Sequence, residues 1–94
     1  MASRVYWQHH KGAWAEHIAI THLLSEGFEV HRNCSAHGYA DITAWRDGVG
    51  IQYDVKLVYI DKKGDAVKRR LTQKQRARGV RPLWVFPDGW VEAG

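Results

Sequence analysis

Asp47-Gly48 is the strongest constraint in this 94-residue chain. Asp-Gly between alternating apolar residues marks a two-residue hairpin loop, because both central residues of a type I′ turn adopt positive φ. Tyr39 to Trp45 reads as the strand before it, and Val49 to Ile60 as the strand after it. A two-residue loop pairs Arg46 with Val49. It then pairs Trp45 with Gly50, Ala44 with Ile51, Thr43 with Gln52, Ile42 with Tyr53 and Asp41 with Asp54. Alternation puts Ala40, Ile42, Ala44, Ile51, Tyr53, Val55 and Leu57 on one apolar face. Thr43, Gln52 and Lys56 share the other face with the two acids.

Opposed carboxylates, with Cβ atoms about 4.5–5.5 Å apart, destabilise a sheet. One reading is a pair of solvated strand acids, one of them neutralised by Lys56. The other is a site for a hard divalent cation, Mg²⁺ or Mn²⁺, which prefers oxygen ligands. Gly50 leaves room for a bulge, and a one-residue slip would send one acid to the opposite face.

The remaining pattern is α-β-β-β-α-β-β. A helix is expected over Lys11–Glu26, closed by Gly27, with Ala13, Ile20 and Leu24 as its apolar stripe and Ile18 and Leu23 beside it. Glu16 borders that stripe, either as an ordinary surface ion-pair partner or as a third carboxylate turned toward the acid pair. Phe28 to Asn33 alternates like a strand, Asn33 to Gly38 is a loop, and residues 61–65 form a turn. Thr72-Gln73-Lys74-Gln75 has the form of a capping box opening a short helix that ends at Gly79. Leu83–Phe86 is an apolar strand, and Trp90–Glu92 returns as a short edge strand. The expected fold is α+β, a single mixed β-sheet flanked by helices, with residues 1–94 as one domain.

Residues 61–81 hold nine of the fourteen Lys and Arg and two acids, leaving that segment at +7 and the rest of the chain at −3. Such segregation points to an acidic partner, nucleic acid in particular. The candidate phosphate contacts are Lys62, Lys63, Lys68, Arg69, Arg70, Lys74, Arg76 and Arg78, with Lys11 from the first helix. One cysteine, Cys34, excludes an intrachain disulfide and suits a reducing compartment. No apolar run reaches the ~18–20 residues needed to span a membrane. No secretory leader opens the chain. The expected location is the cytoplasm, or the host's cytoplasm for a viral gene, with no membrane partner and no small-molecule substrate.

Other metal and aromatic patterns compete. His31-x-x-Cys34-x-x-His37 offers three ligands in a loop, one fewer than a structural zinc takes. His17 and His22 lie about 140° apart on a helix and do not converge. His9 and His10 are either phosphate contacts or plain surface. Trp14 and Trp84 are expected in the core. Trp7, Trp45 and Trp90 fit surface anchors for a dimer or bases, or simple core filling.

Asp41 followed by Asp54-Val55-Lys56 on a hairpin resembles the PD-(D/E)XK nuclease superfamily. Lys11-Gly12 with Glu16 resembles the G-x-x-x-E element of its Holliday junction resolvase-like and virus-type replication-repair branches. Thr72–Gln75 resembles the polar helix start that follows the D-x-K strand. The likeness runs from about Lys11 to Phe86 in the αβββαβ order of the restriction-endonuclease-like core. Ala40 stands where the family name has Pro.

The resemblance implies a Mg²⁺- or Mn²⁺-dependent endodeoxyribonuclease that hydrolyses phosphodiester bonds. A domain too small to read a long sequence alone is expected to recognise DNA shape, in a duplex or, in the sharpest version, a branched or junction DNA. The resemblance implies metal binding by Asp41, Asp54 and the Val55 carbonyl, with Glu16 a direct or water-mediated ligand. Lys56 would orient or help deprotonate the attacking water, and Gln73 or Gln75 would position a phosphate or a water. A homodimer on DNA is the implied assembly. The alternative is a nucleic-acid-binding module that keeps the fold without cleaving.

Overall fold

The computed structural model describes the backbone of residues 4–34 and 38–94, and side chains within those from His10 onward. In chain order the elements are α1 (Arg4–Ser25), β1 (Glu29–Arg32), β2 (Ile42–Arg46), β3 (Val49–Leu57), β4 (Tyr59–Ile60), β5 (Ala66–Val67), α2 (Gln73–Ala77), β6 (Arg81–Val85) and β7 (Val91–Ala93). The fold is α+β, as expected. Among the described residues five strands form one mixed sheet in the order β1-β2-β3-β6-β7, and β4 and β5 form a separate two-stranded ribbon. β3 and β6 are parallel, and the other pairs are antiparallel.

Asp47 and Gly48 have φ of 54° and 77°, so the loop takes the two positive-φ residues that set the register. Arg46↔Val49 through Ile42↔Tyr53 pair as the sequence implies, and Gly50 introduces no bulge. The Trp45 ring instead lies over Gly50, where an added Cβ would sit 2.9 Å from it.

α1 begins at Arg4 rather than Lys11. Its sheet-facing stripe is also not the one expected. Ala15, Ala19 and Leu23, four residues apart, are buried, whereas Leu24 is 56% exposed. Two alanines facing the strands let the helix lie close to Ile42, Ala44, Tyr53, Leu83, Val85 and Val91, with which they form the main core. The helix closes in a Schellman motif. Gly27 takes φ 87°, and the Phe28 N–H reaches the Leu23 carbonyl.

β3 ends at Leu57 instead of running to Ile60. Val58 breaks the strand, its side chain buried and its N–H donated to the Val85 carbonyl, before the chain enters the β4–β5 ribbon. Asp61 Oδ1 ties the ribbon's tip by accepting from the Lys63 and Asp65 N–H groups. The Thr72–Gln75 capping box is formed in both directions, and α2 closes on Gly79 (φ 76°) in a second Schellman motif. A smaller cluster of Ala40, Leu71 and Val80 seats the segment around α2. Trp14 is half-buried against the main core as expected. Trp84 is half-buried too but is not part of either core cluster, and its indole N–H donates to the Arg69 carbonyl.

Candidate active site

The β2–β3 ladder stops one residue short of the acid pair. The Asp41 N–H still donates to the Tyr53 carbonyl at 2.9 Å, but the Asp41 C=O accepts from Asn33 N–H and the chain turns away. β3 runs on alone along that edge, paired only with β6 on its other side. The strands therefore fork, and the Asp41 carboxylate fills the fork by accepting the Val55 N–H at 2.7 Å. The N–H and C=O of a strand residue lie on the same edge, so the Val55 carbonyl faces the same gap.

Asp54 and Lys56 point to the face away from α1 and form a 2.8 Å ion pair, both largely buried. Glu16 approaches from α1 on the other side of the sheet, where it pairs with Arg32 at 3.2 Å. Burial pushes the Asp41 carboxyl up from its ordinary 3.8 to about 6. The Val55 N–H pulls the other way, while the neighbouring Asp54 and the charge of Glu16 add to the rise. Asp41 thus feels the charges of both Asp54 and Glu16, with Lys56 beside Asp54 and Arg32 beside Glu16. Among the described residues no three of His, Cys, Asp and Glu close into a metal cluster. The donor set that does fit a hard cation is Asp41, Asp54 and the Val55 carbonyl, all oxygen. Glu16 is turned to Arg32.

The loop entering β2 is fastened at three successive carbonyls. Gln75 Nε2 donates to Tyr39 O at 2.9 Å, Asn33 Nδ2 to Ala40 O at 3.1 Å, and Asn33 N–H to Asp41 O. Thr43 Oγ1 donates to Asn33 Oδ1 and orients that amide. Arg78 stacks on the Tyr39 ring at 3.9 Å. Gln75 is held at both ends of its amide. The Oε1 end closes the capping box and the Nε2 end holds the Tyr39 carbonyl. Gln73 is exposed at the start of α2. Asn33 and Arg32 were not singled out from the sequence. Their partners lie across the sheet or on a helix, and no local pattern marks them.

The basic residues do not form one surface. Lys11, Lys56 and Arg69 line a cleft of about 260 Å³ with Val55, Leu57 and Tyr59, directly beside the fork. Lys68 is committed elsewhere. Its ammonium bonds both Glu92 oxygens at 2.8 and 2.9 Å and sits 5.0 Å from the Trp84 ring. Arg78 is engaged on Tyr39. Lys62 and Lys63 stand at the ribbon tip, and Lys74 is exposed on α2. Arg70 and Arg76 line a separate groove.

His31 is exposed and lies 3.5 Å from Glu29 Oε1. Cys34 is an exposed free thiol. His37, and the side chains of Trp7 and His9, lie outside the described residues. Trp45 and Trp90 are exposed, by 44% and 66%. No helix among the described residues is long and apolar enough to cross a membrane.

No family model and no curated protein matches the sequence. Among solved structures the chain is similar to a bacterial homing endonuclease, I-Ssp6803I, with a TM-score of 0.68 and 17% identity over 88% of this chain. The chain spans 66% of that enzyme's length, just under two thirds. At this identity the likeness is one of fold.

Proposed function

We propose that this chain is a Mg²⁺- or Mn²⁺-dependent DNA endonuclease of the PD-(D/E)XK type, with its active site at the fork between β2 and β3. The observation that carries this reading is the meeting of Asp41 and Asp54 at the fork, with the Lys56 ammonium 2.8 Å from Asp54. A stability-driven sheet has no use for two acids there. The fold it shares with an endonuclease supports the same reading.

Asp41, Asp54 and the Val55 carbonyl would hold the metal ion, with Glu16 reaching it through water. A bound Mg²⁺ or Mn²⁺ supplies Lewis acidity and lowers the pKa of an attacking water. The chain's own part is to position and neutralise. Lys11 and Arg69, which line the same cleft, hold the phosphate beside the fork. Lys56 orients the water and sets a cation where charge grows on the phosphorus oxygens. Its ion pair with Asp54 keeps the ammonium at the fork before substrate arrives. Residues 1–94 act as one domain in this proposal, in a cytoplasm, and a homodimer would place two such forks on a duplex or a branched junction.

Plasmid, linear duplex and four-way junction DNA, each incubated with Mg²⁺ or with chelator, test the reading. Cleavage that requires Mg²⁺ supports it, and the preferred DNA names the substrate. Tight binding to all three without cleavage would leave the non-catalytic module.

A further inference from the structure

We propose that a second cationic groove, on the sheet face away from α1, holds the uncut strand of a duplex, so that the substrate is double-stranded at the point of cleavage. This rests on the nuclease reading above. The groove encloses about 550 Å³ and is lined by Arg70, Arg76 and Arg81 around Leu71, Pro82 and Trp84, with Gly94 also in its wall. Among the described residues no carboxylate side chain lines it. Among the described residues none of the three arginines is ion-paired, in contrast to Lys68 on Glu92 and Arg32 on Glu16. Guanidinium groups without an ion-pair partner in a groove fit phosphate oxygens, which they bond in bidentate fashion.

The groove's place relative to the fork follows from the sheet register. Pro82 pairs with Asp54 and Trp84 with Lys56, so the groove floor lies on the face of Asp54 and Lys56, one strand away. That spacing is about 4.8 Å. The chain at Arg69 and Arg70 forms the ridge between the fork cleft and the groove, with the buried Leu71 beneath it. Arg69 lines the cleft, and the next residue, Arg70, lines the groove. The Trp84 indole N–H holds the ridge by its bond to the Arg69 carbonyl at 3.2 Å. Beyond the ridge, the Schellman turn at Gly79 reverses the chain and brings Arg76 of α2 and Arg81 of β6 to one rim. Two cationic tracks flanking one ridge match the two phosphate strands of a duplex. A single strand occupies one track.

The test compares wild type with Arg70→Ala/Arg81→Ala, two exposed positions, and with Arg70→Gln/Arg76→Gln as a second pair. Binding of a blunt duplex oligonucleotide and of one of its strands is measured in chelator over a range of salt, and cleavage of both is measured with Mg²⁺. Circular dichroism checks the fold. Wild type is expected to prefer the duplex. In each double variant the duplex-to-single-strand preference should fall by roughly tenfold or more, and the duplex salt slope should flatten by about 1.8, or 0.9 for each phosphate that is no longer neutralised. Equal loss on duplex and single strand, or no loss on either, would overturn the proposal. So would a fall in oligomeric state by sedimentation, which would make this face a contact between copies. Because binding is read without metal, a wild type that binds as expected but never cleaves would sink the nuclease reading alone. Intact duplex preference in the variants with normal cleavage would sink the groove alone.

Discussion

The Asp41 carboxylate accepts the Val55 N–H at 2.7 Å at the point where two paired strands part. A side chain thus takes the ladder position that the β2 backbone has left. The bond keeps Asp41 beside Asp54 although the backbones no longer pair. It also satisfies an amide that would otherwise stand unpaired on an open strand edge.

This arrangement carries a stability signature. Asp41 has a folded-state pKa near 6 against an ordinary 3.8. Between those values the folded chain binds more protons than the unfolded one, so this contribution is full below pH 3.8 and is lost as pH rises through 6. Asp41→Asn keeps an acceptor for Val55 and removes one of the like charges. In chelator at pH 7 it should be more stable than wild type by up to about 1 kcal/mol, or roughly 4–8 °C in Tm. Its thermal stability should also lack wild type's decline between pH 4 and 6. A variant that melts lower than wild type in chelator would show that Asp41 is a stabilising group.

Gly12 lies within α1, one residue after Lys11 of the cleft, and a Cβ there would meet nothing within 4 Å. Glycine in a helix interior is unfavourable by about 0.8–1.0 kcal/mol relative to alanine. Gly12→Ala should therefore raise stability by about that amount in a urea melt. If the variant also loses DNA affinity, the open space above Gly12 is where the substrate backbone passes.

Asn33 spends its side-chain amide on Ala40 and Thr43 and its backbone N–H on Asp41. Asn33→Ala should destabilise the fold by about 1–2 kcal/mol, as expected for part-buried hydrogen bonds. It should also raise the Mg²⁺ concentration needed for half-maximal cleavage, since the carboxylate it steadies is a metal ligand in the proposed site. Unchanged Mg²⁺ dependence at a temperature where the variant is folded would confine Asn33 to stability.

What could be read in advance was local. Asp47-Gly48 sets the hairpin register by turn geometry alone, and Thr72 and Gln75 find each other within one helical turn. The helix face was misread because Ala13, Ala15 and Ala19 are alike in hydropathy, and only the sheet distinguishes them. The break at Val58 depends on a bond to Val85, which is distant in sequence. The basic segment looked uniform because its cations are sorted by tertiary neighbours. Glu92 claims Lys68, Tyr39 claims Arg78, and a one-residue alternation sends Arg69 and Arg70 into different grooves. The register was legible as far as Ile42–Tyr53, but the expected Asp41–Asp54 pairing gives way to a fork that was not legible, since it arises from Asn33 drawing the chain aside.

The most direct test of the metal-centre reading is Mg²⁺-dependent DNA cleavage by Asp54→Asn, measured beside its DNA affinity in chelator. Asp54→Asn keeps the side chain's shape but removes a proposed metal ligand and the partner of Lys56. The expected result is cleavage reduced by roughly 10²-fold or more, the order associated with losing a ligand or its support. DNA binding should stay within a few-fold of wild type, because affinity resides in the arginine and lysine side chains, and the circular dichroism spectrum should be unchanged. Cleavage at the wild-type rate by the folded Asp54→Asn variant would contradict the assignment of the fork as the active site.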